Sequence, residues 1–125
     1  MKKILLSLLL LIGAAGTIAA EEISSIDSNG TWIYLYNSKG QRYQTLSVSS
    51  AGNVVGYSSS FFVTVSPSGS WIYLYDSNGK KYNTMSASSV GEVIGVAGDT
   101  FTSRNGNWIY TWDKNGKKIN TRSAR

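Results

Sequence analysis

Short apolar runs separated by clusters of Gly, Asn, Asp and Ser make up the chain from residue 21 onward, and one run is written three times. It reads Trp32-Ile33-Tyr34-Leu35-Tyr36, then Trp71-Ile72-Tyr73-Leu74-Tyr75, then Trp108-Ile109-Tyr110-Thr111-Trp112. Each run leads into a polar turn that closes on Gly40, Gly79 or Gly116. The match extends backwards from the Trp: Gly52-Asn53-Val54-Val55-Gly56 aligns with Gly91-Glu92-Val93-Ile94-Gly95, and Phe62 with Phe101. The repeated unit is therefore a whole supersecondary element. Pro67 and Ser68, in a turn, account for the slightly longer first spacing between Trp residues.

Within the third copy the pattern predicts four strands, at 92–96, 100–104, 108–112 and 117–122. Between them lie Ala97-Gly98-Asp99, Asn105-Gly106 and Asp113-Lys114-Asn115-Gly116, the chemistry of hairpin turns. No helix signal is found after residue 20, and β-branched and aromatic residues favour strands throughout. In the third strand of each unit, alternation puts Trp32, Tyr34 and Tyr36 on one face and Ile33 and Leu35 on the other. Both faces are apolar, so the strand is expected to be covered on both sides, as in sheets stacked one behind another. The fold expected is all-β, in tandem four-stranded antiparallel units that form propeller-like blades. A β-trefoil or three-sheet prism is the alternative.

The first twenty residues have a different character: Lys2 and Lys3, an apolar run from Ile4 to Ile12, then small residues to Ala20. This is the layout of a secretory signal peptide, too short and too rich in Gly and Ala to favour a lasting membrane span. The expectation is a leader at 1–20 and one exported domain at 21–125, periplasmic or secreted, with units at 21–50, 51–89 and 90–125. The first unit lacks a counterpart of the strand at 92–96. Propellers close with about 4–8 blades, so a chain with two full units and a shortened one is expected to form a homo-oligomer.

The stretch Ile72-Tyr73-Leu74-Tyr75-Asp76-Ser77-Asn78-Gly79-Lys80 resembles the third strand and outer hairpin of blades in NHL-type β-propellers. Such propellers are mostly binding platforms, with some enzymes among them. The resemblance implies a scaffold and brings no catalytic residues with it.

Composition narrows the chemistry. The chain has no Cys and no His, which excludes disulfides, thiol catalysis and a Ser-His-Asp arrangement. Its seven carboxylates are scattered, with Asp27, Asp76 and Asp113 at expected turn positions, so no catalytic residue, metal site or cofactor is expected. Asp-Ser-Asn-Gly at 27–30 and 76–79 has the look of a calcium-loop opening but lacks the later acidic ligand, and reads as a hairpin turn.

The formal charge is +5, and Arg104, Lys114, Lys117, Lys118, Arg122 and Arg125 concentrate it near the C-terminus. The last copy departs from the pattern: Trp112 replaces Tyr36 and Tyr75, Thr111 replaces Leu35 and Leu74, and Arg122 replaces Leu46 and Met85. Such departures mark a terminal cap or a contact surface, and Trp112, Lys117, Lys118 and Arg122 are the candidate ligand-binding residues. The repeated Trp32, Trp71 and Trp108 read first as core anchors. One aromatic sugar-binding site per unit is the functional alternative.

The function expected is a non-enzymatic binding module for a glycan or protein at the cell envelope. The alternative is an envelope component assembled edge to edge. Nucleic acid is not expected as a partner of an exported chain.

Overall fold

The computed structural model describes residues 21–125, so the expected leader lies outside the described residues. The strands form three antiparallel sheets. The first holds β1 (Ser25–Ser28), β2 (Trp32–Tyr36) and β3 (Arg42–Ser47). The second holds β4 (Asn53–Tyr57), β5 (Phe61–Val65), β6 (Trp71–Asp76) and β7 (Lys81–Ser86). The third holds β8 (Glu92–Ala97), β9 (Thr100–Asn105), β10 (Trp108–Asp113) and β11 (Lys118–Ser123). Each sheet is a meander of consecutive strands, and none shares a strand pairing with another. A trefoil, whose units close one barrel together, is thereby excluded.

Two single helical turns correct the expectation of a helix-free domain: α1 (Val48–Ala51) after β3 and α2 (Ala87–Val90) after β7. Neither sequence, Val-Ser-Ser-Ala nor Ala-Ser-Ser-Val, carries helical periodicity, and an isolated helix of four residues is far below the length that holds in water. Tertiary contacts fix them. The N–H of Val48 donates to Thr31 O at 3.0 Å and that of Ala87 to Ser70 O at 3.0 Å, anchoring each turn's first residue to the preceding hairpin. The last carbonyls, which a helix leaves without partners, accept buried hydroxyls from the next sheet: Thr64 Oγ1 donates to Ala51 O at 2.6 Å and Ser103 Oγ to Val90 O at 2.6 Å. These turns carry the chain from the last strand of one sheet to the first strand of the next.

Side chains meet between sheets in two apolar layers. Ile33 and Leu35 of the first sheet pack with Phe62 and Tyr75 of the second, and Ile23 and Ala51 close the same cluster. On the second sheet's opposite face, Phe61, Val63, Ile72 and Leu74 pack with Val93, Phe101 and Trp112 of the third. Among the described residues, only the central sheet is thus covered front and back. The expectation that every third strand is covered on both faces fails at the two ends of the stack.

A repeated clasp ties the outer strands together. Tyr43 Oη donates to Ser77 O at 2.6 Å, and Gln44 Nε2 donates to Asn78 O at 2.8 Å. One unit on, Tyr82 Oη donates to Lys114 O, and Asn83 Nδ2 donates to Asn115 O at 2.9 Å. In the third unit the corresponding residues are Ile119 and Asn120, so the phenol is gone. The inner strands β4 and β8 lie directly against each other.

Candidate functional site

The three repeated tryptophans are not core anchors. Trp32, Trp71 and Trp108 open β2, β6 and β10 and are 45%, 47% and 50% exposed. All three lie at the same end of equivalent strands in stacked sheets, facing Ser47, Ser86 and Ser123 across the ladder. They therefore form a row along one rim of the molecule. Hydroxyls run beside it: Ser47 Oγ and Ser49 Oγ are 2.7 Å apart, and Ser86 Oγ and Ser88 Oγ 2.8 Å. Repetition marks an equivalent position but does not say whether that position is inside or on the rim, which is why the sequence favours the wrong reading.

Trp112 does the reverse. It is 7% exposed, stacks on Phe101 with ring centroids 6.0 Å apart and 9° between planes, and donates its indole N–H to Ser103 Oγ at 2.9 Å. A residue so enclosed has no surface for a ligand, which corrects its place among the candidate ligand-binding residues. Lys118 is with it, holding its ammonium 4.0 Å from the centroid of Tyr110 and 5.7 Å from that of Trp112. Lys117 sits at the end of the β10–β11 hairpin, where its peptide N–H donates to Asp113 Oδ1 at 2.9 Å. Arg122 lies opposite Ile109, on the other face of the sheet from Tyr110 and Trp112. The four residues do not converge on one site.

Apart from Ile109, the third sheet's outward face is polar. Cross-strand register places Thr100, Thr102, Arg104, Thr111, Asn120 and Arg122 there, at positions where the second sheet's buried face has Phe61, Val63, Val65, Leu74, Asn83 and Met85. Gly95, the counterpart of Gly56, meets no atom that a Cβ would touch. This face thus offers little of the apolar surface that joins the other sheets.

The first sheet's outward face is aromatic. Trp32, Tyr34 and Tyr36 share it with Arg42 and Thr45 of β3 and with Asp27 of β1. The Arg42 guanidinium lies over the Tyr34 ring, its Cζ 4.7 Å from the centroid, and a shallow recess of about 230 Å³ is lined by Trp32, Tyr34, Arg42 and Thr45. Arg42 stands outside the candidate residues that the sequence offers. Its one signal is alignment with Lys81 and Lys118, which lie over Tyr73 and Tyr110 in the same way.

The turn aspartates act locally. Asp76 Oδ1 accepts the N–H groups of Asn78 and Lys80 at 2.9 and 3.0 Å, and Asp113 Oδ1 those of Asn115 and Lys117 at 2.9 Å each. Asp27 is different: it belongs to β1, and Asn29 holds the first hairpin by accepting from Thr31 and Trp32 at 3.0 and 2.8 Å. Asp99 reaches Lys114 at 3.6 Å and accepts from Ser60 Oγ at 3.1 Å, joining the second sheet to the third. Among the described residues no three acidic side chains gather where they could hold a metal ion. Nor is any helix among them long and apolar enough to cross a membrane.

No known protein family matches the chain, and no curated protein matches it. Among solved structures it is similar to Hsv2 of Kluyveromyces lactis, and to the form of that protein with complete loop 6CD. Each comparison gives a TM-score of 0.54 and 14% identity over 78% of this chain. The chain spans about a third of the length of that yeast β-propeller, 32% in both cases. With three separate antiparallel sheets stacked face to face, the fold is all-β and propeller-like.

Proposed function

We propose that this protein is an exported, non-enzymatic binding module that takes a carbohydrate polymer along its tryptophan rim. The observation that supports it is the row of Trp32, Trp71 and Trp108, three half-exposed indoles at equivalent positions with hydroxyls beside them. Indole faces stack on the apolar faces of sugar rings, and hydroxyls satisfy the rings' polar edges. Stacked sheets lie about 10 Å apart, so successive indoles meet successive parts of an extended chain, and weak sites in series gain through avidity. Within the propeller-like class, the apolar strand followed by Asp-x-x-Gly-Lys supports an NHL-type blade.

A glycan array with the processed protein tests the reading. Polymers should bind better than their short fragments, and Trp71→Ala and Trp108→Ala should each weaken polymer binding with the fold intact. Absence of binding to every glycan at high protein concentration would overturn it.

A second reading, assembly into a larger envelope structure, draws on β1, which among the described residues pairs only with β2 and leaves that edge of the first sheet without a partner strand. The polar outward face of the third sheet weighs against a ring of identical copies stacked face to face. Light scattering after size exclusion separates the two readings by mass.

A further inference from the structure

We infer that the outward face of the first sheet is a site for an acidic sugar residue, its carboxylate read by Arg42. The inference rests on the carbohydrate reading above and names the chemistry of one subsite.

Each sheet carries a cation over the first tyrosine of its Trp-Ile-Tyr strand, β2, β6 or β10: Arg42 over Tyr34, Lys81 over Tyr73 and Lys118 over Tyr110. In the second and third sheets that tyrosine faces the neighbouring sheet and packs against an apolar layer between sheets. In the first sheet no neighbour among the described residues covers it, and there the cation is Arg. The two cations differ in what they recognise. A lysine ammonium is a compact point charge, whereas a guanidinium is a planar fork that matches a carboxylate with two parallel hydrogen bonds. Among the described residues Arg42 forms no ion pair, the single pair there being Lys114 with Asp99. Its place over Tyr34 leaves its N–H groups unspent on any carboxylate among the described residues.

The surroundings fit a single ring. The recess of about 230 Å³ has Trp32 and Tyr34 as apolar walls, the Thr45 hydroxyl as a donor or acceptor, and Arg42 as its cation. Its volume is below the range of about 300–1,000 Å³ usual for drug-sized ligands. Trp32 is also the first member of the tryptophan rim, so the recess lies at one end of the row. A uronic acid residue combines what these side chains recognise: a ring with an apolar face, hydroxyls and one carboxylate. Asp27 on the same face disfavours a second negative charge beside the first.

The test uses the processed protein and tetrasaccharides of galacturonate, mannuronate and glucuronate, each beside its methyl ester, which removes the charge and keeps the ring. Calorimetry and tryptophan fluorescence report binding. At least one acid should bind roughly tenfold more tightly than its ester, the equivalent of one charge-assisted contact. Arg42→Gln, which removes the charge, should abolish that preference, and Arg42→Lys, which keeps the charge and loses the planar fork, should weaken it, with circular dichroism unchanged in both. Equal binding of acid and ester, no binding of any acid, or an Arg42→Gln protein that keeps the preference would each overturn the inference. Neutral-polymer binding sensitive to Trp71→Ala would survive those outcomes, so the failure of this site is distinguishable from the failure of the rim.

Discussion

Gly56 and Gly95 occupy the same place in the repeat, yet alanine is expected to act oppositely at the two. A Cβ at Gly56 would stand 2.5 Å from Val96 Cγ2 and 3.2 Å from Val96 Cβ, whereas one at Gly95 would meet nothing within 4 Å. Neither glycine has a positive φ, so no left-handed conformation enters the comparison. Val96 is β-branched and stiff at χ1, and it lies opposite Phe101 in its own sheet, so it has little room to turn away. The contact must be relieved by parting β4 from β8, an overpacking that costs about 1–3 kcal/mol. Replacing a strand glycine returns about 0.5–1 kcal/mol at either site. Gly56→Ala should therefore lose about 1–2 kcal/mol net, and Gly95→Ala should gain up to about 1 kcal/mol. With a urea m-value of about 1–3 kcal/mol/M, the two midpoints should separate by roughly 1 M. Coincident midpoints would refute the account of both faces. A Gly95→Ala protein destabilised only at high protein concentration would mean that a second copy covers the third sheet.

Two further outcomes rest on named contacts. Ser103→Ala unpairs both Val90 O and the Trp112 indole N–H, while Thr64→Val unpairs Ala51 O alone. At about 1–3 kcal/mol for each buried group left without a partner, thermal unfolding should show the serine change as the costlier, and equal losses would count against the network described. The phenol of Tyr43 is pushed up to about 12 by burial first and then by the charges of Glu21 and Asp76, and that of Tyr82 to about 12 by burial and then by Asp76 and Asp113. Both hold their proton more tightly when folded, so the clasp's stability is whole below the ordinary phenol value of 10.0 and is lost as pH rises towards about 12. Urea unfolding across that window should show a smaller loss in Tyr43→Phe and Tyr82→Phe, and an unchanged loss in the double variant would remove the clasp as its cause.

The strands and hairpins were legible because their signals are local. Alternation sets the faces, and Asp76, Asp113 and the glycines after them punctuate the turns whatever surrounds them. What escaped depends on neighbours. The turns α1 and α2 exist because carbonyls at their ends meet hydroxyls some thirteen residues on. Trp32 and Trp112 exchange their expected roles because a strand's first residue reaches the rim and its fifth reaches the interior. Arg42 becomes notable only once the first sheet is seen to have no neighbour on that side, which three similar lines of text cannot reveal.

The clasp and the two unlike ends also constrain how such a chain can lengthen. The middle unit alone has one face that receives and one that inserts, together with the tyrosine that reaches forward. A further copy of it could be spliced next to itself and find suitable surfaces on either side. A unit placed against the third sheet would meet threonine and arginine, so a copy inserted between existing units finds better-matched surfaces than one set there.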